Sequence, residues 1–402
     1  MSNQMYSYKF ALEPTRLQAI LLNKHCGAVR YLYNLGLSRR HKNYLDNKEL
    51  SKEDKKYLNY YDQAKELTLL KKDFSTGWLK EVNSQSLQYA LKCLDGAYND
   101  FFKGKTSLPK YHSKTRSNSF RVPQSVAIKN GKLDIPKFKE GIKLVEHREL
   151  QGTIKSATIT HNADNTYYVS IAVEKDIVKL PPTGNSIGVN IGIKDTFVTS
   201  NGQKTENPKA IKKYQKKVTF FQRVFFKLIK LSPKKPLMQN GKRIFTKKNK
   251  TKFYAEKTNN TKKASLRLAK YHRKIKNRRL DHIHKATTHI VKNNDLIVIE
   301  DLNTKGMVKN HKLAKSISDA SFGEVGRQLE YKSKWYGRQF TKIDRFFPSS
   351  KTCSHCAFVN QDLKLSDRDW TCISCGKYHD RDINASINIL AKGISMLAGT
   401  HA

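Results

Sequence analysis

Residues 5–11, Met-Tyr-Ser-Tyr-Lys-Phe-Ala, alternate polar and apolar positions and predict a strand. Pro14 then precedes a helical stretch in which Leu17, Ile20, Leu21 and Cys26 recur at helical steps, continuing through Val29–Leu37 into the basic run Ser38–Lys42. Residues 40–80 keep a helical period with weak amphipathicity, whereas Ser84–Lys103 carries a clear apolar face of Leu87, Ala90, Leu91, Leu94, Tyr98 and Phe101. Between Lys105 and Glu174 the period drops to two. Strands are expected at 118–123, 132–135, 142–145, 154–160 and 166–173, separated by turns at Asn130-Gly131 and 162–165. With residues 5–11 these strands could close a small barrel, interrupted by the helical insertion. The Pro-rich segment Lys179–Asn185 marks a boundary. Beyond it, Ile187–Asp195 and Phe197–Thr199 read as a hairpin whose glycines permit close backbone approach. Residues 206–230 and 261–292 read as basic helices around a Lys/Asn-rich segment, Ser232–Asn260, expected to be a mobile loop. Asp295–Leu302 is a buried-strand pattern ending in two acids, 311–338 is helix-rich, 339–347 is a strand, and Ile387, Leu390 and Ile394 outline a last helix.

Charge changes this picture most. Lys and Arg number 77 against 34 Asp and Glu, a net charge of +43 spread along the chain. Such a surface repels itself until a polyanion neutralises it, so nucleic acid is the expected partner. No run of eighteen apolar residues exists and the first ten residues have no signal-peptide core, which predicts a soluble intracellular protein without a membrane partner. Aromatic residues interleaved with basic ones over 29–42, Tyr33 among them, suit stacking on bases beside phosphate contacts, and each serves equally well as a core residue. Gln85 and Gln88, three apart and off the apolar face, could present amides to a DNA groove and read adenine. Arg273, Lys274, Arg278 and Arg279 would track a phosphate backbone by charge-driven, largely sequence-blind contacts.

Four of the six cysteines form two pairs, Cys353-x2-Cys356 and Cys372-x2-Cys375, separated by fifteen residues. Each spacing lets two thiolates of one tight turn reach the same tetrahedral ion, so the four predict a closed, structural zinc site in a small ribbon. His355, inside the first turn, could replace a sulfur but reads more simply as a surface residue. Cys26 and Cys93 stand alone in apolar helical patterns and read as core. Directly after the ribbon, Asp382 falls in the first turn of the last helix, where the helix dipole favours a carboxylate.

The stretches SSKTCSHC, WTCISCG and HDRDINASINI resemble the C-terminal block of the TnpB family, transposon-encoded RNA-guided DNA endonucleases related to type V CRISPR effectors, and the likeness extends over nearly the whole chain. The resemblance implies a multidomain α+β fold. A wedge β-barrel would comprise residues 1–12 and 105–180, with a helical recognition lobe, 13–104, inserted. An RNase H-like (RuvC) α/β nuclease domain would comprise 185–348 and 379–402, with a zinc ribbon, 349–378, inserted. It also implies a guide RNA, a double-stranded DNA target with a short adjacent motif, a monomer within a ribonucleoprotein, and a bacterial cytoplasmic location at the nucleoid.

Nucleases of the RuvC group hold two divalent ions with carboxylates from separate elements, because magnesium prefers hard, anionic oxygens. By resemblance to the family's IEDLN and RDxNA motifs, Glu300 and Asp382 are the magnesium-binding catalytic acids; alternation alone does not choose Glu300 over Asp301. The family's first acid lies in a G-[IV]-D-[LI]-G segment, and here Asn190 stands at that position in GVNIG. Asparagine keeps an oxygen but removes a charge, so cleavage is expected to be impaired by roughly a hundredfold or more. A nuclease-dead RNA-guided repressor and an unguided DNA-binding transposition factor are the competing readings. Ala357, where the family's first turn commonly has glycine, is a second departure and would add roughly 1 kcal/mol of strain if that residue requires positive φ.

Overall fold

The computed structural model describes residues 3–399 apart from 116, 177–178, 237, 240–241, 244–252, 312 and 365. They form two compact units, Met1–Asp176 and Ile177–Ala402.

In the first unit, strand β1 (Asn3–Glu13) is followed by helices α1 (Arg16–Lys48), α2 (Tyr60–Lys72) and α3 (Ser84–Phe102). Six strands complete it: β2 (Ser119–Val122), β3 (Ala127–Lys129), β4 (Lys132–Asp134), β5 (Ile142–Val145), β6 (Thr153–His161) and β7 (Tyr167–Asp176). All seven join one antiparallel sheet in the order β2-β6-β7-β1-β5-β4-β3. The first strand thus sits mid-sheet, and the helices are an insertion between it and the rest. Thr15 caps α1 by accepting from the Gln18 amide while the Gln18 side chain reaches back, a capping box that starts the helix straight after Pro14. Ala28 and Leu32 of α1, Leu67 of α2 and Leu87 and Leu91 of α3 share one core with Leu79 and Val82. Helix α1 runs past the basic cluster to Lys48 because its far end is held by polar bonds: Asn43 and Asn47 bind the backbone of Lys56 and Leu58. Cys26 is core as expected, but Cys93 is exposed, since it lies off the α3 stripe that faces α1.

The second unit contains a five-stranded sheet in the order β10-β9-β8-β15-β16. Strands β8 (Ser186–Ile191), β9 (Asp195–Thr199) and β10 (Lys204–Glu206) form an antiparallel meander. Helix α4 (Ala210–Leu231) follows, then β11 (Lys234–Pro236), β12 (Met238–Gln239), β13 (Lys242–Arg243) and β14 (Phe253–Ala255), which pair as two small ribbons, and helix α5 (Asn259–Asn293). Short strand pairs therefore occupy part of the segment expected to be a loop; residues 244–252 of that segment lie outside the described residues. Strand β15 (Leu296–Glu300) pairs parallel with β8 on one side and, after helices α6 (Thr304–Met307), α7 (Ala314–Ala320) and α8 (Phe322–Tyr336), with β16 (Gln339–Ile343) on the other. The chain ends with a two-stranded ribbon, β17 (Asp369–Thr371) and β18 (Tyr378–Asp380), and helix α9 (Arg381–Gly399).

Both faces of the five-stranded sheet are covered, which is why β15 reads as an unbroken apolar run. Ile297 and Ile299 pack with α5, α7 and α8 residues such as Ile290, Ile317 and Leu329, while Leu296 and Val298 pack with Ile389 and Leu390 of α9. The start of β15 is tied down by Arg338, which binds Asp295 at 2.5 Å and the carbonyls of Pro181, Val291 and Lys292. Asp295 in turn accepts the amides of Thr183 and Gly184. Among the described residues no helix is long and apolar enough to cross a membrane.

Candidate active site and metal centre

Alternation assigns the polar residues of the two central strands to a common face. On β8, Ile187, Val189 and Ile191 point into the core beneath α5 and α8, so Gly188 and Asn190 face α9. On β15, Leu296 and Val298 face α9, so Glu300 does too. Val189 is the register partner of Ile299, which makes Asn190 and Glu300 the next positions of adjacent parallel strands. The two acids at the strand end, both half-buried, have different surroundings: Asp301 lies beyond the strand and is ion-paired with Arg345, whereas Glu300 ends the strand and accepts a hydrogen bond from the Ser349 hydroxyl.

Helix α9 brings the third residue. Asp382 lies in its first turn, and the Asn190 amide nitrogen is 3.5 Å from the Asp382 carbonyl oxygen. The helix can lie this close because Gly188 has no side chain. Asp380 fixes the helix start: one carboxylate oxygen accepts the amides of Asp382 and Ile383, both at 3.0 Å, and the other accepts from Lys204 of β10 at 2.5 Å. Although burial works the other way, Lys204 and the two amides hold the Asp380 carboxyl below its ordinary range. The Asp382 carboxylate pairs with Arg368 and Arg381, each at 3.4 Å. Burial pushes the Glu300 carboxyl above its ordinary value, and the Ser349 bond opposes this only in part. Glu300 and Asp382 carry carboxylates and Asn190 an amide, all with hard oxygens and together one charge short of three acids.

The four cysteines converge. The sulfurs of Cys353, Cys356, Cys372 and Cys375 lie within 4.8 Å of one another and could hold a metal ion. Two turns of the same design present them. In the first, the Cys353 carbonyl accepts the Ala357 amide at 3.0 Å and the Cys353 amide donates to Phe358; in the second, Cys372 does the same with Gly376 and Lys377. Both fifth residues are left-handed, Ala357 at φ 62° and Gly376 at φ 69°. A backbone hydrogen bond from Phe358 helps bring the Cys356 thiol down to about 7. His355 is exposed. The histidine at the centre is His379, missed in the sequence: it is buried on β18, stacks near Trp370, and its Nε2 is 3.0 Å from the Cys353 sulfur. Trp370 is its register partner across the β17–β18 ribbon, a pairing that only the folded ribbon shows.

The residues read as nucleic-acid contacts are scattered. Tyr33 is buried, its ring stacked on His112 at 3.8 Å, so that face is turned inward. Gln85 donates to Gln124 at 3.2 Å, and Gln88 is exposed on the same helix. On α5, Lys274 and Arg278 are exposed and Arg273 half-buried, while Arg279 bonds the Ser318 carbonyl at 2.6 Å and lies 3.9 Å from Asp319.

Three family profiles match the chain: one described as a helix-turn-helix domain over residues 1–49, one described as "Probable transposase" over 227–311, and one described as the TNB domain of Cas12f1-like proteins over 322–389. The first of these stretches is folded here as strand β1 and the single long helix α1. A Streptomyces pristinaespiralis protein named as an RNA-guided DNA endonuclease is 34% identical, covering 98% of this chain and 90% of its own. Escherichia coli K12 InsQ, which bears the same description, is 28% identical, covering 98% of this chain and 94% of its own. The fold is similar to that in a cryo-EM structure of a Cas12f1–sgRNA–target DNA complex, with a TM-score of 0.51 at 15% identity, covering 93% of this chain and 82% of that one. With 34% identity sustained over nearly the full length of both proteins, the chain belongs to the TnpB family.

Proposed function

We propose that this protein is an RNA-guided DNA-binding protein built on a magnesium-dependent endonuclease framework, with cleavage impaired by Asn190. One observation carries the site: Asn190 and Glu300 hold neighbouring positions on the α9-covered face of one sheet, and Asn190 lies against the backbone of Asp382 in the first turn of α9. The antiparallel meander β10-β9-β8 continued by parallel β15 and β16 supports an RNase H-like, RuvC-type nuclease domain, and the seven-stranded sheet of the first unit supports the wedge role. Names of the full-length relatives support RNA guidance. The guide would supply sequence specificity while the protein reads duplex shape and a short adjacent motif.

Glu300 and Asp382 would hold magnesium with the Asn190 amide oxygen. When bound, magnesium supplies an activated water and a counter-charge for the leaving oxygen. The chain's own contribution is positional. Ser349 orients Glu300, and Asp380 with Lys204 sets the first turn that carries Asp382. Arg368 and Arg381 pair with the Asp382 carboxylate, which would be one of the oxygens offered to the ion. For the cysteine centre, zinc fits: sulfur separations of 3.6 and 3.7 Å match the edge of about 3.8 Å that a tetrahedron with Zn–S of about 2.3 Å requires.

The decisive experiment is Asn190→Asp in the full chain, with its guide RNA, magnesium and a matched target. The revertant should cut at least roughly a hundredfold faster than the chain as it stands. A revertant that leaves the DNA intact sinks the nuclease framework, and a purified protein free of any discrete transcript sinks guidance. Asn190 itself favours a second reading of the biological output, in which target binding without cutting blocks transcription.

A further inference from the structure

The first unit contains a groove of about 770 Å³ between the far end of α1, the end of α3 and the two segments that follow α1 and α3. Its floor is Tyr98 and Phe101, the residues of the α3 stripe that pack least deeply. Its rims present Tyr44, Tyr57 and Phe102, which are 57%, 60% and 76% exposed. Aromatic side chains so open to water are costly unless something covers them.

The groove is built rather than incidental. The Tyr57 wall is fixed to α1 by Asn43 and Asn47, which make four hydrogen bonds to Lys56 and Leu58 at 2.8–3.1 Å. The opposite wall is fixed by Asn34, whose side chain donates to the His112 carbonyl at 2.9 Å and accepts its amide at 2.7 Å. Between them the Arg40 guanidinium lies over the Tyr98 ring, 5.2 Å from its centre, held there by Asp95 at 2.7 Å and Gln63 at 2.9 Å. The strand of chain beyond Phe102 adds Lys103, Lys105 and Lys110 with no acid among residues 101–115.

We infer that this groove holds an unstacked base of a single-stranded polynucleotide, sandwiched on the exposed aromatic rings, with its phosphates on the flanking lysines. Charge selects this occupant: a flat π-face beside a cation-rich rim matches a base attached to phosphate, whereas an apolar peptide would gain nothing from the lysines. The inference needs only a single strand, so its failure leaves guidance untouched.

The test uses the full chain and an oligonucleotide of about ten residues carrying 5-iodouridine or 2-aminopurine, in about 0.5 M salt where exposed charge contacts fade. Crosslinks should map to Tyr44, Tyr57 or Phe102. Tyr57→Ala and Phe102→Ala, which change no charge, should each weaken single-strand binding by roughly tenfold and leave duplex binding unchanged. Crosslinks elsewhere, or variants that melt like the parent and bind the single strand equally well, overturn it. Equal losses for single strand and duplex also overturn it.

Discussion

A Cβ built on Gly188 would stand 2.1 Å from the carbonyl oxygen of Ser386, so β8 and α9 meet backbone to backbone. Further along the helix Gly393 seats on a side chain instead: a Cβ there would meet a methyl group of Val298 at 2.5 Å. The expected result of Gly188→Ala is displacement of α9 and of Asp382 with it, destabilising the second unit by about 1–3 kcal/mol or more. Thermal unfolding of the variant checks this; an unchanged melting curve would show that the helix does not need its close seat.

Arg338 donates to one carboxylate and three carbonyls, and little of its side chain reaches water. Arg338→Met should cost about 2–4 kcal/mol, because the carbonyls around the buried guanidinium lose a charged donor. Denaturant unfolding measures the loss. Arg338→Lys should recover only a part, since an ammonium cannot span the same fork.

Ala357 and Gly376 hold equivalent positions in the two cysteine turns, with nothing within 4 Å of a Cβ built on Gly376. The left-handed cost to a side chain, about 1–2 kcal/mol, exceeds the unfolded-state benefit of alanine, about 0.4–1 kcal/mol. Ala357→Gly should therefore strengthen the ribbon by about 0.5–1 kcal/mol and Gly376→Ala weaken it by the same amount. The rate at which a chelator strips metal from each variant reads the difference, and shifts of the same sign would refute the equivalence.

His25 is buried at the junction of α1 and α3, with Nδ1 2.9 Å from the Leu21 carbonyl and Nε2 3.0 Å from the Asn83 amide. These partners require the neutral ring protonated on Nδ1, and burial holds its pKa below the ordinary 6.5. The unfolded chain then binds the proton more readily. Stability from this residue is present above about pH 6.5 and is lost as pH falls through that value toward the lowered native one. Protection of the Asn83 amide against exchange, relative to its intrinsic rate, should fall between pH 7 and pH 5, and the stability gap between the parent and His25→Phe should narrow over the same interval. A gap independent of pH would exclude the assigned tautomer.

Much of this architecture is legible in the sequence because burial leaves a period. The hairpin at Ile187–Thr199, the apolar run before Glu300 and the stripe of α3 each follow from side chains that must leave water. What could not be read depends on contacts between distant residues. Which of the two acids ends β15 on the side of α9 could not be read until that helix was seen to cover one face of the strand. The length of α1 rests on Asn43 and Asn47 binding a loop, a polar bond that leaves no hydrophobic signature. The little strands Lys234–Pro236 and Phe253–Ala255 lie in a lysine-rich stretch without alternation. Buried Lys332 is equally unreadable: on α8 it donates to the His284 carbonyl and to Thr287 and Thr288, a set of acceptors that only the folded α5 assembles.

Because α9 covers one face of β8 and β15 but follows them by many residues in the chain, the order of translation matters. Synthesis proceeds at about 5–20 residues per second, so Glu300 leaves the ribosome on the order of ten seconds before Asp382. During that interval the nascent chain already exposes its basic helices, yet Gly188, Leu296 and Val298 have no helix against them. A message broken upstream of α9 would accordingly yield a fragment whose β8 and β15 lack the helix that covers them.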